Sequence, residues 1–302
     1  MHKKISIVEV GPRDGFQSVK KFISTEIKLK VIYGLIQSGV KKIQATSFVS
    51  PKAVPQMQDA KIIVQTCLQK YPHISFFALV PNLYGAKVAV ESGLDEISYV
   101  ISVSESHNLA NVKRTCDESF DELRMIREQF PNLRINLDAA TAFGCPFEGK
   151  PSLKKLKTYI RRGVNLGIRS FNISDTIGVA YPTMVREYVS ALISEYPQAD
   201  FHVHIHDTRN MGIINSYTAI GCGIKSVEVS VGGLGGCPFA PGASGNTATE
   251  DLVYMLGKIG YDTGINFDRL LVTAKYLKEC VDGNYSGHHI FIKEDSFECQ
   301  HP

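Results

Sequence analysis

Arg169-Ser170-Phe171-Asn172-Ile173-Ser174, then Pro182–Glu195, then Phe201-His202-Val203-His204-Ile205-His206-Asp207 is the stretch that decides the fold. The outer pieces are short and alternate in polarity, so each reads as a strand, whereas the middle piece is amphipathic and reads as a helix. A strand, a helix and a second strand at this spacing make a parallel βαβ unit. The same alternation runs along the chain, with strands expected at Ile5–Val10, Lys42–Thr46, Ile74–Val80, Glu96–Ser102, Arg134–Ala139, Arg169–Ser174, Phe201–His206 and Lys225–Val231. Helices are expected between them, at Glu26–Gln37, Tyr84–Ser92, Ser119–Gln129, Ser152–Leu166, Pro182–Glu195 and Met211–Gly221. Eight such units in about 260 residues fit an α/β fold of the (β/α)8 TIM-barrel kind better than a doubly wound sheet. An appended C-terminal helix, Tyr261–Val281, and a polar tail, Asp282–Pro302, follow. No linker or composition shift interrupts the pattern. Residues 1–302 are therefore read as one domain, with a core over about 4–260 and an extension over about 261–302.

Composition narrows the function classes. Hydrophobic residues make up 44% and charged residues 21%, ordinary for a folded chain and incompatible with wholesale disorder. Lys and Arg total 33 against 30 Asp and Glu, a net charge of +3 that points to neither nucleic acid nor a membrane surface as partner. No apolar run approaches the roughly 20 residues that span a bilayer. Seven cysteines at irregular spacings do not make a disulfide framework, and Met1–Ile7 lacks a signal-peptide core. A cytoplasmic, reducing home is the expectation.

A barrel of this kind carries its chemistry at the C-terminal ends of its strands. The first strand runs into Gly11-Pro12-Arg13-Asp14-Gly15, where the glycines let the backbone turn tightly and aim Arg13 and Asp14 at the mouth. An ordinary surface turn with a local ion pair is the alternative. On the seventh strand, period two puts His202, His204 and His206 on one face, with His204 and His206 spaced to reach one metal ion. His202 lies deeper and reads as a packed or hydrogen-bonded core residue. The sixth strand ends in Ser174-Asp175-Thr176-Ile177-Gly178, another carboxylate at the mouth, or else a turn cap. After the eighth strand, Gly232–Asn246 holds six glycines in fifteen residues, a functional loop with Cys237 at its centre. The alternative is a flexible hairpin with an incidental thiol. Asn246 is either an oxygen ligand or the N-cap of a helix starting near Thr247. Together Asp14, His204, His206 and Asn246 offer two imidazoles and two oxygens. That mixed set suits Mg2+ or Mn2+ better than a structural zinc.

These residues carry a family resemblance. Val8-Glu9-Val10-Gly11-Pro12-Arg13-Asp14-Gly15, Thr46-Ser47-Phe48-Val49-Ser50-Pro51-Lys52, Gly144-Cys145-Pro146-Phe147-Glu148-Gly149, Asp175-Thr176-Ile177-Gly178, His204-Ile205-His206-Asp207-Thr208, the Gly233–Asn246 loop and Ala248–Leu256 resemble the 3-hydroxy-3-methylglutaryl-CoA lyase family. The resemblance runs over roughly residues 4–280, and related metal-dependent barrels share the first motif and the His-x-His pair but not the cysteine loop. It implies retro-Claisen cleavage of a 3-hydroxyacyl-CoA, a divalent metal, an acyl-CoA substrate and a homodimer. By the same resemblance Asp14, His204, His206 and Asn246 hold the metal. Arg13 stabilises the enolate charge, His204 also handles protons, Asp175 supports, and Cys237 helps protonate the enolate carbon.

Several positions depart from the family pattern. Gln44 stands where the family has glutamate, Asp138 where it has tyrosine, and Asn172 and Ser174 where it has serine and glycine. His202 replaces a small residue, and Leu109-Ala110-Asn111 lacks the usual preceding basic pair. Gln44, Asp138 and Asn172 are therefore substrate-pocket candidates. An ionised Asp138 about 6 Å from a substrate carboxylate costs about 3 kcal/mol at an effective dielectric of 20, which implies slow cleavage of hydroxymethylglutaryl-CoA. Two other readings stay open at this point: a same-fold lyase or aldolase for a different hydroxyacyl substrate, and a metal-binding protein without turnover. A barrel hydrolase ranks far lower, because there His-x-His lies on the first strand rather than the seventh.

Overall fold

The computed structural model describes residues 3–236 and 245–293. In chain order it runs β1 (Lys3–Lys4), β2 (Ser6–Glu9), α1 (Thr25–Ser38), β3 (Lys42–Ser47), α2 (Ala60–Lys70), β4 (Ser75–Val80) and α3 (Leu83–Glu91). It continues through β5 (Glu96–Ser102), α4 (Glu105–Val112), α5 (Cys116–Gln129), β6 (Arg134–Ala140), α6 (Leu153–Asn165), β7 (Ser170–Asp175) and α7 (Pro182–Glu195). The last elements are β8 (Asp200–Ile205), α8 (Gly212–Gly221), β9 (Ser226–Val229), α9 (Thr249–Lys258), β10 (Tyr261–Asp262) and α10 (Phe267–Cys280). Strands β2 to β9 are parallel and close into a barrel, with β9 returning to β2 from Ser6↔Ser226 to Glu9↔Val229. All eight expected strands are present within about two residues of their expected bounds.

Local chemistry sets the helix ends. Ser24 accepts from the Ile27 amide to open α1, and Gly39, at φ 109°, closes it in the left-handed region that favours glycine. Thr115 and Glu118 form a capping box at α5. The appended helix is α10, packed on α1 so closely that a Cβ at Gly34 would fall 2.5 Å from Thr273 Oγ1. The expected helix over Tyr261–Val281 starts later, because Tyr261–Asp262 instead pairs with Lys3–Lys4 as a small sheet outside the barrel. Two-residue strands carry no periodicity to read.

The barrel interior is partly polar where branched apolar side chains are usual. Ser170 Oγ donates to Asn136 Oδ1 at 2.8 Å and meets His202 Nε2 at 3.0 Å. Asn136 Nδ2 donates in turn to Asp138 Oδ1 at 2.9 Å. His202 is thus the hydrogen-bonded residue expected of it, and its ladder leads up to the floor of the site.

Candidate active site

Asp14 sits in a tight helical turn, Gly11–Gly15, whose Arg13 and Asp14 amides both donate to Val10 O, so strand β2 delivers the two side chains together. His204 lies near the end of β8 and His206 just beyond it. His206 pairs through its backbone with Asn246, which brings the far end of the glycine-rich loop beside it. His204 Nε2 and His206 Nε2 each lie 4.0 Å from Asp14 Oδ2. Ligands bound about 2.1 Å from a common ion stand no more than about 4.2 Å apart. Asp14, His204 and His206 are all buried and form a cluster able to hold a divalent cation.

The surrounding atoms fit that reading. Asn246 Nδ2 donates to Asp14 Oδ2 at 2.8 Å and to Leu234 O at 3.2 Å, while its Oδ1 is buried without a partner. An orphaned buried carbonyl oxygen beside a carboxylate is what a cation would satisfy. Asn246 does not cap a helix, since α9 starts at Thr249 behind Ala248. Burial works to raise the Asp14 pKa, but Arg13 and the two imidazoles outweigh it and hold the carboxyl at about 2. Burial first, then His204, lowers His206 to about 4, so its imidazole is neutral and able to ligate. Burial also opposes charge on His204, yet the neighbouring Glu228 and Asp14 carboxylates raise its pKa.

Glu228, on β9, is a residue the sequence reading missed. Its Oε2 accepts from Asn172 Nδ2 at 2.7 Å and lies 3.3 Å from His204 Nδ1, off the line of a well-formed hydrogen bond. A carboxylate behind the imidazole favours the tautomer that leaves Nε2 free for a metal. The signal was present: Ser226, Glu228 and Ser230 alternate along the last strand as the histidines do along β8. Glu9 was also missed. Its Oε1 accepts from the Gly11 and Val231 amides at 2.7 and 2.9 Å, and its Oε2 accepts from Thr249 Oγ1 at 2.7 Å. It ties the Arg13–Asp14 turn to both ends of the glycine-rich loop. Burial pushes its carboxyl up to about 7 against those donors.

A cavity of about 790 Å³ opens at this end of the barrel, with Arg13, Asp14, Asp138, Asn172, His204 and Glu228 on its wall and Asn111, Lys113 and Arg114 also lining it. Arg13 is held between Gln44 Oε1 and Asp14 Oδ1, so Gln44 orients the guanidinium. Both Asp175 oxygens accept backbone donors, Val179 N and Ala180 N at 2.9 Å each, which makes this carboxylate a brace for the turn after β7. Cys237 lies outside the described residues. Asp138 departs from the expectation of an ionised, repelling group: burial and then Glu228 push its carboxyl up to about 8. That upward shift favours the neutral carboxyl and weakens the expected repulsion of a substrate carboxylate. The sequence could not show this, because the shift comes from burial and from a residue on another strand.

The HMGL-like family description matches residues 4–277. Mitochondrial hydroxymethylglutaryl-CoA lyase of Macaca fascicularis is 41% identical over 282 residues, covering 93% of this chain and 86% of that protein. The Homo sapiens enzyme is 40% identical over the same span and coverage. A solved structure of an HMG-CoA lyase from Acinetobacter baumannii, in complex with coenzyme A and 3-methylmalate, superposes with a TM-score of 0.92 at 37% identity, covering 99% of this chain and 97% of that one. These relatives overturn the cytoplasmic expectation, since the primate, rodent, bovine and chicken enzymes are mitochondrial. The physical reason is that cysteine usage separates oxidising from reducing compartments and does not distinguish one reducing compartment from another.

Proposed function

The chain belongs to the HMGL-like family, and on that premise we infer that it is a carbon–carbon lyase that cleaves 3-hydroxy-3-methylglutaryl-CoA to acetyl-CoA and acetoacetate. The observation that carries the reading is the buried Asp14–His204–His206 cluster beside a guanidinium fixed between two oxygen acceptors. We take the ion to be Mg2+ or Mn2+, with Asn246 as the fourth protein ligand, because two imidazoles with two oxygens suit those ions. When bound, a divalent cation lowers the pKa of the substrate's 3-hydroxyl.

Loss of the hydroxyl proton turns C3 into a ketone as the C2–C3 bond breaks. The electron pair passes to the thioester enolate. Arg13 faces that developing charge as a permanent cation already held by Gln44 and Asp14, so little reorganisation accompanies the step. His204 carries proton traffic beside the Glu228 carboxylate. Cys237 keeps the role the family resemblance implies, protonation of the enolate carbon to give acetyl-CoA. Lys113 and Arg114 suit the phosphates of coenzyme A. We also carry over a homodimer, and read the chain as one catalytic unit.

The test is the metal-stripped chain given hydroxymethylglutaryl-CoA with Mg2+, with Mn2+ or with chelator. Acetyl-CoA and acetoacetate in equal amounts with metal, and neither with chelator, support the reading. Metal binding with no product from this thioester would overturn it.

A further inference from the structure

The floor of the cavity holds hydrogen-bonding capacity that the proposed reaction leaves unused. Asn172 is 2% exposed; its Nδ2 is taken by Glu228 and its Oδ1 has no partner. Asp138 is 5% exposed, and Asn136 Nδ2 and Ser98 Oγ both bond its Oδ1, at 2.9 and 3.3 Å. No hydrogen bond reaches its Oδ2 among the described residues. The two residues stand opposite each other in the register of β6 and β7, one inward-facing step below Ser174, which pairs with His204. Both line the reaction cavity. Asn172 Oδ1, a buried acceptor left without a donor, is unfavourable, so the molecule that fills the cavity is what completes it, with Asp138 beside it on the wall.

We propose, resting on the lyase reading above, that the acyl pocket takes 3-hydroxyacyl-CoA thioesters whose C3 substituent carries a hydroxyl in preference to those with a methyl there, the hydroxyl being received by Asp138 and Asn172. The bulky coenzyme keeps the thioester toward the mouth, so the substituents of C3 meet the floor. That floor also holds Glu228, which makes it inhospitable to the substrate's own carboxylate. A methyl group would cover both polar groups and form a hydrogen bond with neither. A hydroxyl donates to an acceptor and can also accept, so it suits Asp138 with or without a proton. Asp138, beside Asn172 on the cavity wall, is thus a specificity residue.

The experiment compares hydroxymethylglutaryl-CoA with the analogue in which the C3 methyl is a hydroxymethyl, following acetyl-CoA release by the full chain with Mn2+. The expected kcat/KM is about tenfold higher for the hydroxymethyl thioester, as befits one matched buried hydrogen bond in a site that water can partly reach. In Asp138→Leu the ratio should fall to about one, and in Asp138→Asn, which keeps a hydrogen-bonding group, it should stay above about threefold. If the leucine variant does not fold, the wild-type ratio and the asparagine variant decide. Equal or better use of the methyl thioester by the wild type overturns this inference alone, as does a folded leucine variant with the wild-type ratio. Release of acetyl-CoA from neither thioester overturns the lyase reading together with it.

Discussion

Replacing Glu228 by alanine removes the acceptor of the 2.7 Å bond from Asn172 and the carboxylate 3.3 Å from His204 Nδ1. Two full charges 3.3 Å apart at an effective dielectric of 20 interact by about 5 kcal/mol. A neutral imidazole N–H carries only about a third of a unit charge, which brings the figure to roughly 1.5–2 kcal/mol. That corresponds to the ten- to hundredfold loss of metal affinity typical when the group behind a ligating histidine is lost, about 1.4–2.7 kcal/mol. Glu228→Ala should therefore bind Mn2+ about ten- to hundredfold more weakly in calorimetric titration of the metal-stripped chain. Glu228→Gln, which keeps the shape and a hydrogen-bonding group, should lose less. Thermal unfolding checks that both variants remain folded. A folded Glu228→Ala with affinity within about twofold of wild type would refute the idea that this carboxylate orients His204.

Glu9 predicts a pH effect. Its pKa rises from the ordinary 4.5 to about 7, so the folded state holds the proton more tightly than the unfolded chain. Stability therefore falls as pH rises through that window, by about 3 kcal/mol in all. Glu9→Gln cannot ionise, so its Tm relative to wild type should climb by several degrees between about pH 5 and about pH 8; a constant difference contradicts this. Arg13→Met should lower kcat by about a thousandfold with little change in KM, because the guanidinium acts on charge that develops in the transition state. A loss confined to KM would make Arg13 a binding contact. His206→Ala should fold yet bind Mn2+ markedly more weakly, and unchanged calorimetric affinity would remove His206 from the metal site.

The barrel was legible because its signals are local. Alternation on strands such as Phe201–His206, and amphipathic segments such as Pro182–Glu195, each lie within one element. Asp14, His204 and His206 were legible as neighbours because period two and the strand-end rule place them at one mouth. Glu228 and Glu9 escaped because their partners come from other strands and from the loop around Val231 and Thr249. Asp138 was read as ionised, whereas burial and then Glu228, on another strand, push its carboxyl up. The ambiguity of Asn246 turned on where α9 begins, and two residues decided it: a start at Thr249 frees its side chain for Asp14.

The central claim is that the cluster of Asp14, His204 and His206 supports metal-dependent cleavage between C2 and C3 of the thioester. The most direct measurement uses hydroxymethylglutaryl-CoA labelled with carbon-13 at C2, turned over by the metal-stripped chain before and after readdition of Mn2+. The account predicts no turnover without metal and, on readdition, all of the label in the methyl carbon of acetyl-CoA. Turnover that persists in the stripped chain, or free coenzyme A with the six-carbon acid intact, would contradict it.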